Sequence, residues 1–294
     1  MNDFWIVLTG SLVAVNCAIL GVFLILRKMA MVGDAISHAV LPGIVIAFLI
    51  SNSRNSLIML IGAAAFGVLT TLLIELFYKK ARLQSDASIG ITFTWLFAIG
   101  VILVTAFSGN VDLDQECVLY GDIAYVPFDN WILRGLNLGP AAVWLLSGNF
   151  ILLILGLITG YRGLFITSFD EAFSLGLGIK AGYWHYALMA AVSLTVVLSF
   201  NSVGAILVVA FIVVPPAAAY LLSKRLESMI FISAFFGVLS AVSGYFLADL
   251  WKASISASMA VAAGMIFLVV FLYTVLKRKF LQKSINQKPL ESWQ

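Results

Sequence analysis

Long, unbroken apolar runs separated by short polar clusters dominate the chain. Runs near the roughly 20 residues that cross a hydrocarbon core read as transmembrane helices, whereas barrel strands are about half as long and alternate apolar with polar positions. Nine such runs occupy residues 4–26, 35–50, 57–77, 89–107, 140–160, 184–200, 203–222, 229–247 and 255–276. Each crossing must satisfy its own backbone hydrogen bonds, so the pattern predicts an all-α integral membrane protein, a polytopic bundle of about eight or nine transmembrane helices.

Two places in this pattern stand out. The 35–50 run is short and contains His38 and Pro42, so it is expected against protein or a cavity rather than lipid on every side. Only Asn201 and Ser202 separate the sixth and seventh runs, a junction that fits either a tight turn between two crossings or a break within a re-entrant helix. Basic residues test the count, because cytoplasmic loops carry an excess of Lys and Arg. Nine crossings from an external N-terminus leave only Arg54, Arg134 and Lys252 outside, of 17 Lys and Arg. The expected orientation is N-terminus outside and C-terminus cytoplasmic.

Composition agrees. Of 294 residues, 62% are hydrophobic and 11% charged, against roughly 45–50% and about 25% in soluble domains. Net charge is only +3, which gives no reason to expect nucleic acid. Cys17 and Cys117 are far apart and show neither a disulfide framework nor a thiolate metal spacing. The opening Met1-Asn2-Asp3 lacks the basic start of a cleavable signal peptide, so the first run is expected to be retained. Asp112, Asp114, Glu116, Asp122 and Asp129 gather in the longest external segment. They form either a negative mouth that concentrates cations or an ordinary solvated loop. The basic stretch from Lys277 to Lys288 reads as a membrane-surface stop followed by a mobile end.

Ionisable groups within spans cost about 2.5–3.5 kcal/mol each at a helix centre, so each one requires an explanation. Asp34 and His38 are four residues apart, on one helical face. A carboxylate and an imidazole at that spacing can ligate one divalent ion, and the mixed N/O set suits Mn(II), Fe(II) or Zn(II). Spacing alone leaves a second reading equally open, with Asp34 capping the helix N-terminus and His38 packing against a neighbour. His185, beside Trp184 and Tyr186, reads as an interfacial packing residue, and Glu75 as half of a helix-surface ion pair with Lys79. Residues 168–179 form a short amphipathic segment with an Asp170-Glu171 start and glycine stops at Gly176 and Gly178, a helix of one to two turns. It offers a surface to a soluble partner or lies on lipid.

Several motifs carry a resemblance. The stretch from Leu26 through Gly33-Asp34-Ala35-Ile36-Ser37-His38 to Leu41-Pro42-Gly43 closely resembles the signature of the manganese/zinc/iron ABC permease family. So do Asp86-Ala87-Ser88-Ile89-Gly90-Ile91 and the segment from Val203 to Pro215-Pro216-Ala217. The resemblance spans residues from about 10 to 275 in the right order. It implies the fold of the type II ABC importer permeases over 1–276, followed by a basic cytoplasmic tail over 277–294. It implies a path between two permease subunits, identical or merely related. Separate ABC ATPase subunits would drive transport, and an external solute-binding protein would deliver the metal. Asp34 and His38 fall on the family's metal-pathway positions. Phe169, Asp170, Glu171, Ala172, Leu175 and Gly176 fall on its coupling helix, which docks on the ATPase. Asp112, Asp114, Cys117 and Asp122 look most like the manganese-type branch, while the stretch from Asp249 to Ser254 departs from the turn found in many members.

The resulting expectation is a prokaryotic plasma-membrane permease that imports Mn2+, or else Zn2+ or Fe2+, and holds no permanent cofactor. Import changes no bond in the ion, so the chain is expected not to be an enzyme; consistent with that, it has no GxxxxGK[ST] phosphate loop, and energy is expected from another polypeptide. An ion-coupled secondary transporter is the alternative. It would show broken helices in matching halves, and only one candidate break is visible.

Overall fold

The computed structural model describes residues 2–51, 56–107, 123–133, 136–169 and 171–286. Ten α-helices account for most of them: α1 Asn2–Leu26, α2 Val32–Ser51, α3 Ser56–Lys80, α4 Ser85–Phe107, α5 Ala141–Phe169, α6 Glu171–Gly176, α7 Ala181–Val203, α8 Ala205–Leu222, α9 Leu226–Trp251 and α10 Ile255–Asn286. Between α4 and α5 lie a 3-10 turn, Val126–Phe128, and an antiparallel hairpin of β1 Asn130–Leu133 with β2 Leu136–Pro140. Among the described residues nine helices, all but α6, are long and apolar enough to cross a membrane.

The spans form two shells. Half or more of the hydrophobic window is buried in α1, α2, α7 and α8, against a third or less in α3, α4, α5, α9 and α10. The inner helices are therefore largely enclosed by other helices, and the outer ones leave one face for lipid or another chain. α1 packs on α5, α7, α8 and α9, while α2 packs on α3, α4, α7 and α8.

Contacts between helix ends settle the threading. Asp3 bonds the Tyr245 hydroxyl, Trp5 covers Gly139, and buried Ser256 donates to the Val203 carbonyl at 3.0 Å. At the opposite end Arg27 meets Ser168 and His185, and Tyr161 donates to Glu227. Consecutive spans thus alternate in direction.

The junction near Asn201-Ser202 resolves in favour of a turn, displaced by two residues. Helix α7 runs through both, and Gly204 alone connects it to α8, at φ +82°. A side chain is disfavoured in that conformation, so glycine permits the one-residue connection. Inside α8, Pro216 lacks the N–H that would bond the Ile212 carbonyl. That carbonyl points at Gly21 of α1, where the missing Cβ leaves room for it. The last helix does not stop near residue 276; it carries the basic stretch in helical form to Asn286.

Candidate functional site

Asp34 is the third residue of α2, so it lies past the N-cap position and inside the first turn. An acidic residue there complements the partial positive charge of the helix start. Its Oδ1 is 3.5 Å from His38 Nε2, one turn on. Glycine at position 33 lets α2 lie against Ile212 of α8, and Ser37 turns its hydroxyl back to the Gly33 carbonyl at 3.0 Å. The two chemistry-bearing side chains are left on the remaining face, 27% and 30% exposed, where an ion can reach them.

Helix α4 also lines this site, through two aromatic side chains. Phe97 stands edge-on to the His38 ring at 5.5 Å between centroids, and Phe93 lies tilted at 5.6 Å. Phe93 and Phe97 are themselves four apart, so α4 presents both rings on one face; that spacing was the available signal. They pack against the imidazole and place apolar surface beside it. Helix α2 continues through Pro42, whose ring is accommodated beside Gly100 of α4. Because Pro42 has no N–H, the His38 carbonyl loses its usual partner in the helix ladder. Among the described residues no group of three or more His, Cys, Asp or Glu side chains is placed to hold a metal. The pair offers one carboxylate and one imidazole donor, a set that divalent transition metals accept.

His185 and Glu75 differ from their expected roles. Glu75 does pair with Lys79, at 2.5 Å, yet it is almost fully buried rather than on the helix surface. Its second oxygen is 3.9 Å from His185 Nε2, and the other ring nitrogen is 3.3 Å from Arg27. Of these contacts only Glu75–Lys79 has a helical spacing visible in the chain. The contacts to His185 and Arg27 join α1, α3 and α7, elements far apart in the chain.

The short segment after α5 is helical over Glu171–Gly176. Phe173, Leu175 and Leu177 are exposed there, outside any span, and Phe169 is exposed at the last residue of α5. Gly176 has open space around it. Asp170 lies outside the described residues, as do Asp112, Asp114, Glu116 and Asp122.

Two shells of alternating spans, with an acidic and imidazole pair at the head of an inner helix, define a polytopic membrane permease. The chain belongs to the ABC 3 transport family, whose model matches residues 3–274. Manganese transport system membrane protein MntD of Bacillus subtilis is 49% identical over 272 residues, covering 92% of each chain. Zinc transport system membrane protein TroD of Treponema pallidum is 38% identical over 269 residues, covering 92% of this chain and 73% of its own. Among solved structures, PsaBC from Streptococcus pneumoniae in complex with Fab superimposes with a TM-score of 0.74 at 32% identity, covering 91% of this chain and 90% of that one.

Proposed function

We propose that this chain is the membrane-spanning subunit of an ATP-driven importer for a divalent transition metal ion, manganese before zinc or iron. The observation that carries the reading is the Asp34–His38 pair, partly exposed at the head of an inner helix in an ABC 3 family fold. The names of its relatives, manganese systems and a zinc system among them, support the substrate class. In such systems ATP hydrolysis belongs to a separate subunit.

Asp34 and His38 replace part of the ion's hydration shell with one oxygen and one nitrogen donor, a set accepted by Mn(II), Fe(II) and Zn(II). His38 lies about 9 Å along α2 from its start, at 1.5 Å per residue. The charge distribution supports placing that end, with Arg27, Lys28, Lys79 and Lys80, in the cytoplasm and the N-terminus outside a prokaryotic plasma membrane. The four exposed apolar side chains around α6 suit a docking site for the ATPase, because a solvated loop gains nothing from displaying them. An external solute-binding protein delivers the ion, and the faces left unburied on the outer helices accommodate a second permease subunit.

The test is reconstitution into liposomes with and without the ATPase, followed by uptake of manganese in competition with zinc and iron. ATP-dependent uptake with manganese preferred is expected. Equal uptake without the ATPase overturns the reading in favour of ion-coupled transport.

A further inference from the structure

We propose that Arg27 is the positioning residue that carries movement of the α6 segment into the helix bearing Asp34 and His38; this rests on the docking role assigned to α6 above. The guanidinium spans two other helices. Its Nε donates to Ser168 Oγ at 3.1 Å and one terminal nitrogen to Thr167 Oγ1 at 2.9 Å, both in the last turn of α5. The other terminal nitrogen meets His185 Nδ1 of α7 at 3.3 Å.

The acceptors are set up for this. Thr167 and Ser168 donate their own hydroxyl protons back along α5, to the Gly163 carbonyl at 2.7 Å and the Leu164 carbonyl at 2.6 Å. Their oxygen lone pairs are thereby turned toward Arg27. Arginine has no acceptor, so the Nδ1 contact places the ring proton of His185 on Nε2, toward Glu75. Only a planar fork with donors on three nitrogens can serve all of these partners at once.

The location gives the contact its consequence. Ser168 stands three residues before α6 begins, and Arg27 seven residues before Asp34. The chain between Arg27 and α2 is not slack. Lys28 sits at φ +58°, and the Lys28 and Met29 N–H groups bond back to the Ile25 and Leu24 carbonyls at 3.0 and 2.9 Å. That is the pattern of a Schellman close, and Val32 N–H then bonds the Met29 carbonyl at 3.2 Å. A pull on Arg27 thus passes into the first turn of α2 instead of being absorbed by the loop. A cavity of about 470 Å³ lined by Arg27, Glu75, Ser168 and Phe169 leaves the end of α5 room to shift.

The experiment uses the full transporter in liposomes with its ATPase and metal-loaded binding protein. It reads manganese transported per ATP hydrolysed, ATPase retained on the permease, and manganese binding. Arg27→Lys keeps the charge and loses the fork; Thr167→Val with Ser168→Ala keeps Arg27 and removes its α5 acceptors. Each is expected to lower the transport-to-hydrolysis ratio at least about fivefold, the lower end of typical site-to-site coupling, with ATPase retention and manganese binding unchanged. The two combined should do no more than either alone. A wild-type ratio in the Thr167/Ser168 variant overturns the inference, as does a proportional loss of transport and hydrolysis in both. A Phe173→Asp control tests the docking role separately: full ATPase retention there overturns that role and the inference with it, whatever Arg27 does.

Discussion

The indole of Trp184 occupies the space that a side chain at Gly163 would need, and it reaches Gly160 one turn earlier as well. This contact locks α7 to α5 one turn before Thr167 and Ser168. A tryptophan near a predicted span end suggests the membrane interface; in the fold it is an interhelical wedge.

Gly163→Val should therefore force α5 and α7 apart, costing about 1–3 kcal/mol as overpacking does. Gly148→Val on the same helix, where nothing lies within 4 Å, serves as the control for helix propensity. Thermal unfolding in detergent, followed by tryptophan fluorescence, measures both. Equal midpoints for the two variants would show that the wedge has no mechanical role.

For the proposed metal pair, Asp34→Ala and His38→Ala should each abolish manganese uptake while the permease still assembles with its ATPase. Phe97→Ala leaves both donors in place and removes a ring that packs against His38, so a loss of roughly 10–100-fold is expected, as for other groups that support a ligand. Uptake by intact cells and co-purification of the ATPase provide the readouts. Wild-type uptake in the two alanine variants at positions 34 and 38 would return Asp34 and His38 to a packing role.

At the α6 surface, Gly176→Trp is informative because the position has open space on this chain. The bulky side chain should leave the permease folded but uncouple ATP hydrolysis from uptake. Transport per ATP at the wild-type level would move the docking surface elsewhere.

Orientation can be read by labelling. Lys252→Cys, at the turn between α9 and α10, should react with an impermeant maleimide in intact cells, whereas Lys180→Cys before α7 should react only after permeabilisation. The reverse pattern would invert the assignment of sides.

The turn itself offers a stability test. Ser256→Ala removes the buried donor to the Val203 carbonyl, and a buried acceptor left unpaired costs about 1–3 kcal/mol. A drop in unfolding midpoint without loss of membrane insertion is the expected result. An unchanged midpoint would mean that another group satisfies this carbonyl.

What the sequence determined by itself was the set of crossings, because span length and apolar composition are local properties imposed by the bilayer. It also brought Asp34 and His38 onto one face, since an i,i+4 spacing is fixed by helix geometry. It could not choose between cap and ligand. The tertiary structure adds the start of α2 at Val32, which puts Asp34 past the cap position, and the Phe93 and Phe97 rings of α4, which no local pattern brings to His38. The turn at Gly204 was likewise misplaced by two residues, because polar Asn201 and Ser202 look like a break while the backbone turns where a positive φ is tolerated. Glu75, His185 and Arg27 illustrate the remainder. Glu75 was expected only to pair with Lys79 and His185 to pack at the interface, and only the packing of α1, α3, α5 and α7 joined them with Arg27 into one polar linkage, because long-range contacts leave no periodic trace in a single chain.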